Sequence, residues 1–444
     1  MVPDPEAAGA ELPGVRCRRE PGGSLLHDAR RHWLLRARRP VYHALLPHVS
    51  FTGQGVEAIW SNAEGRAVLA WCKHATGRTL LVGLDVAEEI VRYTQGDPDE
   101  VPRGVHKARW NCSFERANYL FDANLVPGRR SVPWADRLGF TLVDLLARLT
   151  GLPLAEPLPQ GAVGAVMLTG DDDQAPLCKY QEQLSVVRDL PITYFMLPWT
   201  RHTPATLAAL PASVEIGVHV DALDDPDHYE TLCTRQCRAV RALSGKPARS
   251  LRNHGFLSRA YLGHLRAWES SGIALDLNYA GLDGTALTGS FLPCHTRRPD
   301  GSWSQHLSLL TTFGDGLLYI SKLSPTQARR RIAALAHNIE RTHPGVLVFN
   351  MHPENIADTR SIHSQIIRLA RRKGWMALGA ESYLDWLDRW HGVTIREDRC
   401  GFIVHSPRAM SGLVLRLPAQ RGWDGRALPA WSGDLLIEGR RQSA

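Results

Sequence analysis

Between residues 160 and 390 the chain alternates between two hydrophobic patterns. Short apolar runs at 163–168, 192–197, 214–220, 248–252, 273–277 and 346–349 have the length and near-continuous apolar character of strands buried on both faces. Between several of them lie longer amphipathic stretches, at 228–243, 258–271 and 326–342, with helical spacing. Strands that alternate with helices predict a parallel sheet or β/α barrel with helices outside.

The flanks read differently. Residues 1–50 are irregular and then Arg-rich, with a short helix expected over 28–40, and form an N-terminal extension. E-A-I-W, R-A-V-L-A-W and R-T-L-L-V-G-L-D-V predict short strands, V-A-E-E-I-V-R-Y a helix, and 134–151 a helix ended by Gly151. Residues 51–151 are therefore expected to be a small α/β domain. It resembles the class I glutamine-amidotransferase-like fold, but Cys72 sits in W-C-K-H without a glycine-flanked elbow and is expected to be a buried, non-catalytic thiol. The proline-dense L-P-L-A-E-P-L-P at 152–159 reads as a linker. V-T-I-R-E, F-I-V-H-S and L-V-L-R-L-P predict a small β-rich region over 391–444.

In α/β folds of this kind the chemistry gathers at the C-terminal ends of the strands. Here those ends carry Asp171–Asp173, His219 with Asp221, Arg252 with His254, Asp276 with Asn278, and His352. Any one of these residues is explained by a solvated turn or a satisfied hydrogen bond; the whole set is hard to explain by packing. Adjacent carboxylates after a buried strand repel one another, and a bound cation would offset their charge.

In order and placement these residues resemble the polysaccharide deacetylase superfamily (carbohydrate esterase family 4), as a divergent member. The family's T-F-D-D-G motif corresponds to Thr169-Gly170-Asp171-Asp172-Asp173, and H-[ST]-x-x-H to the segment that begins at His219. R-x-P-x-G corresponds to Arg252-Asn253-His254-Gly255-Phe256, D-x-N to Asp276-Leu277-Asn278, and the apolar strand ending in histidine to V-L-V-F-N-M-H. The resemblance covers 160–390 and implies a distorted β/α barrel deacetylase-like domain. It further implies metal-dependent removal of an acyl group, acetyl first, from an N-acylated sugar or related small molecule. Asp171 is implied as base, His352 as acid, Arg252 as the residue that orients the base, Asp172 and His219 as metal ligands, and Asp276 and Asn278 as substrate-binding. Two departures stand out: Leu223 replaces the second histidine of its motif, and His254 replaces a proline. The third ligand is assigned to His254, a neighbouring strand end, with Asp221 and His228 as alternatives. Asp173, Asp224, Asp225 and Asp227 read as turn residues.

The cofactor expected is one divalent ion, zinc first, with cobalt, manganese, nickel or magnesium as alternatives, because a histidine/carboxylate site does not select among them. Tyr279 and Trp303 are candidates for stacking on a sugar ring. The net charge of +7 is spread along the chain, with no run of basic residues interleaved with aromatics, so no nucleic-acid partner is expected. The acidic, proline-containing N-terminus, scattered cysteines and lack of a long apolar run lead to the expectation of a cytoplasmic protein without a membrane partner. The other class of function left open is a catalytically inactive carbohydrate-binding or scaffold protein on the same fold.

Overall fold

The structure, a computed structural model, describes residues 14–29, 40–75, 77–95, 106–107, 113–114, 132–257, 263–278, 289–320, 322–339, 343–419 and 422–438. At its centre lies a ten-stranded sheet. The strands are β1 (Gly164–Asp171), β2 (Ile192–Met196), β3 (Val214–Val220), β4 (Ser250–Asn253), β5 (Leu275–Asp276), β6 (Cys294–Arg297), β7 (Trp303–Ser308), β8 (Thr311–Gly314), β9 (Gly345–Asn350) and β10 (Met376–Leu378). Their order is β6-β7-β5-β4-β3-β2-β1-β9-β8, with β10 also on β1. Every ladder is parallel except β6 with β7. The expected helices pack outside it, among them Tyr229–Ser244 and Pro325–His337.

The expected barrel is not closed. No ladder joins β8 to β6, β7 or β5 among the described residues. At the other end of the strand order the sheet finishes in the antiparallel pair β6–β7, so that edge presents no parallel partner to β8. Side chains cross the opening: Thr311 Oγ1 on β8 donates to the Leu277 carbonyl beyond β5 at 2.7 Å.

Alternation along the strands divides the core in two. On β1, Ala165 and Met167 face inward with Phe195, Leu275, Val346 and Val348, in a cluster that includes Tyr383 and Leu384 of helix Ala380–Trp390. Val166 and Leu168 face the outer helices, with Tyr180, Cys233, Ile332 and Ile362. The phase of this alternation carries through to the polar ends of the strands and decides what faces the interior there.

The N-terminal part corrects two expectations. A seven-stranded sheet spans residues 15–82, and its ladders are all antiparallel. It crosses the expected boundary at residue 50, since Val15–Glu20 pairs with His48–Gly53. Turns such as the one at Asn62–Gly65 are too short for the crossovers that parallel strands need, so an amidotransferase-like α/β arrangement is not what forms. The sheet packs with helices Val86–Gln95 and Trp134–Thr150, and Gly151 ends the latter at φ +75° as expected. Cys72 is buried in the sheet. Residues 30–39 of the expected helix lie outside the described residues.

Polar contacts dock the flanks on the centre. Gln95 brackets the Arg297 backbone with two hydrogen bonds, 2.9 and 3.0 Å, and Asp136 accepts from Ser290 Oγ and the Phe291 amide at 2.7 Å each. The expected linker is drawn into structure: Leu154 and Ala155 pair with Arg416 and Leu415 in a three-stranded sheet. The remaining C-terminal strands, Thr394–Asp398, Gly401–Met410 and Trp431–Glu438, form a second three-stranded sheet.

Glu89, fully buried, accepts hydrogen bonds from Tyr42 Oη and the Leu45 and Leu46 amides, yet burial pushes its carboxyl from 4.5 up to about 7. A carboxyl raised by folding contributes stability that is fully present below its unfolded value and lost as pH rises through about 7. The shift corresponds to a contribution on the order of 3 kcal/mol. The thermal midpoint should therefore fall between pH 5.5 and 8 more steeply in the wild type than in Glu89→Gln. Equal slopes would contradict burial as the cause.

Candidate functional site

Parallel strands bring their C-terminal ends to one edge of the central sheet, and the alternation set by the core selects which side chains point inward. On β1 the inward series Ala165, Met167 continues to Thr169 and Asp171. On β3 the outward residues are Val214, Ile216, Val218 and Val220, which leaves His219 inward. On β4 Leu251 is outward and Arg252 inward, and beyond β9 the outward Met351 leaves Asn350 and His352 inward.

These inward residues meet. Arg252, wholly buried, donates to Asp171 Oδ1 at 2.8 Å, to Thr169 Oγ1 at 2.9 Å and to Thr311 Oγ1 at 3.0 Å. Its guanidinium lies 4.6 Å from the centre of the Phe195 ring. Asn350 Nδ2 donates to Asp171 Oδ2 at 2.8 Å. Burial alone would raise the Asp171 carboxyl, but the nearby charges, Arg252 first and His352 with it, outweigh it and hold the group below the usual carboxylate value. His352 Nε2 stands 3.6 Å from Asp171 Oδ2, and its Nδ1 stands 2.6 Å from Asp315 Oδ1. Burial disfavours a charged imidazole, yet Asp315, Asp171 and Asp173 together push His352 up to about 10.

The three consecutive aspartates separate. Asp172 continues the outward series of β1: Tyr180 Oη donates to its Oδ1 at 2.6 Å and Thr200 Oγ1 at 3.0 Å, with His202 Nε2 3.8 Å away. This corrects the assignment of Asp172 as a metal ligand. Burial raises its pKa, with those hydrogen bonds opposing the shift. Asp173 and Gln174 then take left-handed backbone, φ +39° and +59°, a conformation aspartate tolerates better than most residues. The turn swings Asp173 back over the inward side, where it is no simple solvated turn residue. Its Oδ1 lies 3.3 Å from His219 Nε2 and 3.8 Å from His254 Nε2.

Asp173, His219 and His254 place one ligand atom each within 4.8 Å of one another. His219 Nδ1 is 2.9 Å from the Arg252 carbonyl, an arrangement that puts the proton on Nδ1 and turns the Nε2 lone pair to Asp173. Asp173 Oδ1 and His219 Nε2 are both buried, and neither makes a hydrogen bond. Buried polar atoms are seldom left so, and a carboxylate facing two imidazoles suits a divalent ion such as zinc. The side chains of Asp173, His254 and His352 stay 28%, 30% and 20% exposed, so the group opens to solvent on that side.

Other expected residues go elsewhere. His228 points into solvent, bonded to Asp225 at 2.7 Å. Asp276 and Asn278, expected to bind substrate, are buried in the framework. Asp276, outward between the inward Leu275 and Leu277, meets His306 Nε2 at 2.8 Å and accepts from Ser308. Asn278 Oδ1 accepts from the Asn253 amide. Trp303 is exposed but begins β7, at the strand edge away from the site. Tyr279 lies outside the described residues. Missed from the sequence were Asp173 as a site residue, Asp315 and Asn350. Asp315 had a signal of the usual kind, an acid just past a strand end in T-T-F-G-D-G.

No protein-family model matches the chain, and no curated protein matches it significantly. Solved structures do match. One is of a putative polysaccharide deacetylase from Mycobacterium smegmatis, 18% identical, covering 53% of this chain and 93% of that one, with a TM-score of 0.39. Another is of PuuE allantoinase, 14% identical over 53% of this chain and 93% of that one, TM-score 0.41. A third is of a mutant of a CE4 family pseudoenzyme with restored enzymatic activity, 15% identical over 50% and 67%, TM-score 0.32. At such identities and scores these likenesses assign no residue a role; the side chains themselves carry the functional reading.

Removing Arg252 leaves the Asp171 carboxylate buried without its cation, which costs roughly 3–5 kcal/mol in comparable buried pairs. Arg252→Met should lower the unfolding free energy by about that amount, and Arg252→Met with Asp171→Asn should recover part of it. Urea unfolding measures both, and a loss in the single variant below about 1 kcal/mol would contradict the buried pair as a stabilising contact.

Proposed function

We propose that this protein is a metal-dependent hydrolase that removes an acyl group, acetyl first, from the nitrogen of an N-acylated sugar or related small molecule. The observation that supports it most is the pair of unbonded buried atoms, Asp173 Oδ1 and His219 Nε2, aimed at each other beside His254. Asp173, His219 and His254 would hold one divalent ion, zinc first. An ion held there would supply acidification of a water molecule and polarisation of an acyl carbonyl.

The remaining work falls to the chain's own groups. Asp171, kept ionised by Arg252, takes a proton from the attacking water at its carboxylate. Asn350 fixes the other carboxylate oxygen, so the base keeps one orientation. His352, kept charged by Asp315 at Nδ1, gives the proton at Nε2 to the departing nitrogen, which is a poor leaving group until protonated. Two groups whose surroundings drive their pKa values in opposite directions can act as base and acid at one pH. An exposed aromatic just beyond the C-terminal end of β2, Trp199, is the candidate for stacking on a sugar ring.

Elemental analysis of purified protein should find about one divalent ion per chain. Asp173→Asn and His254→Ala should lose it, while Asp172→Asn keeps it, because the amide oxygen of that variant can still accept from Tyr180 and Thr200. Loss of metal in Asp172→Asn with retention in Asp173→Asn would overturn the ligand set.

With the metal-loaded protein and an N-acetylated amino sugar, Asp171→Asn should keep the metal and lose turnover by about 10²–10⁴-fold. His352→Ala should slow amide substrates far more than activated esters, whose leaving groups need little protonation. Activity should fall in acid as Asp171 takes up a proton and in alkali as His352 loses one. Sugar binding without turnover of any acylated substrate by metal-loaded protein would favour the inactive, carbohydrate-binding alternative.

A further inference from the structure

His219 and His254 both present Nε2 to Asp173, but different parts of the chain hold the two rings. His219 lies within β3 and leans on the backbone of β4 through the Arg252 carbonyl. His254 has left its strand. It opens the 3₁₀ turn His254–Phe256, in which Gly255 and Phe256 are both left-handed, at φ +61° and +55°. A ring carried on such a turn gets no fixed direction from sheet backbone, and a metal-binding histidine needs an acceptor at its other nitrogen to set tautomer and orientation.

Asp221 is placed to be that acceptor. Its Oδ2 lies 3.1 Å from His254 Nδ1, an ion-pair contact not yet aligned as a hydrogen bond, on the side of the ring away from Asp173. Its Oδ1 accepts the Leu223 amide at 3.1 Å, which sets the carboxylate plane. The backbone of Asp221 is gripped in turn by Gln236 on helix Tyr229–Ser244. Oε1 of Gln236 accepts the Asp221 amide at 2.8 Å, and Nε2 donates to the Asp221 carbonyl at 2.6 Å. Gln236 is buried, so this grip is anchored in the packed face of the helix. Leu223 lies against the same turn, its Cδ2 3.5 Å from where a β-carbon on Gly255 would sit. The residue that cannot coordinate thus buttresses the turn that carries the residue that can.

We infer that Asp221 is a positioning residue for His254, anchored by Gln236, and that it supports a ligand on the end of β4 where position 223 offers none. The inference rests on reading Asp173, His219 and His254 as a cation site. The Asp221 carboxylate keeps the His254 proton on Nδ1, keeps the Nε2 lone pair turned to Asp173, and makes the ring a better donor to a cation. Asp221 does not itself touch the cation.

Zinc competition against a chromophoric chelator, with the full chain, tests this. Asp221→Ala should weaken zinc binding by about 10–100-fold. Asp221→Asn, which keeps an acceptor oxygen but loses the charge, should fall between Asp221→Ala and the wild type. It also carries the test if the alanine variant folds poorly. Cobalt-loaded Asp221→Asn should keep the ligand-field bands of the wild type, because no coordinating atom has been removed. Zinc affinities within about twofold of wild type in both variants would overturn the inference, whereas loss of a ligand from the cobalt spectrum would make Asp221 a ligand and overturn it in another way. Wild-type protein that bound neither ion would overturn the cation site itself.

Discussion

Arg252 is the residue on which the rest of the central fold converges. Its guanidinium bonds to groups on β1 and β8, its Nε lies 3.3 Å from the Leu277 carbonyl beyond β5, and its own backbone belongs to β4. The sheet is not closed by backbone pairing, so these contacts and the bond from Thr311 to Leu277 supply the connection across the opening. A wholly buried cation is costly unless its donors find partners, and each nitrogen of this guanidinium has at least one. The same arrangement forces Asp171 to stay ionised. One constraint thus serves both the fold and the chemistry proposed for it.

Around that pair the charges are arranged in opposition. Arg252 holds Asp171 down, and Asp315 holds His352 up, while the two side chains stand 3.6 Å apart. Each group is fixed by a partner on a different strand, so neither setting depends on the other's side chain alone. The cation site lies next to them, with Asp173 shared between it and His352: its Oδ2 is 3.5 Å from His352 Nε2. The floor beneath is apolar, built from β1, β2, β5 and β9 and helix Ala380–Trp390, so polar groups are confined to one edge of the sheet.

The N-terminal part attaches through hydrogen bonds to backbone, whereas the C-terminal strands also share an apolar cluster with the central sheet, in which Val404, Leu415 and Ile437 join Tyr383 and Leu384. Gln95 takes the Arg297 amide and carbonyl at the outermost strand β6, and Asp136 takes the chain just before it. Arg416, nearly buried, ties the C-terminal strands to Asp144 and Glu156. Those attachments leave the edge that carries Asp173 and His352 partly open to solvent. They also explain why a proline-dense stretch that reads as a linker is found paired with Leu415 and Arg416.

Much of this was legible in the chain. Alternating apolar runs placed most of the central strands, and the polar residues that follow them marked where chemistry gathers, because strand burial and parallel pairing are written in local composition. Even the orientation of Asp172 was within reach: it is in phase with Val166 and Leu168, which face the helices. The strand Thr311–Gly314 was missed because only Phe313 in it is strongly apolar, and Asp315 was missed with it. The extent of the N-terminal sheet was not legible, because hairpin pairing depends on segments distant in sequence meeting with complementary edges. Sequence by itself thus determined a mixed α/β fold on a largely parallel sheet and the strand ends at which Asp171, Arg252, His219 and His352 stand. Only the tertiary structure decided which of three adjacent aspartates turns inward beside His219 and His254, since that depends on the left-handed backbone at Asp173. It also decided what steadies His254, because Asp221 and Gln236 reach it through space from another strand end and another helix.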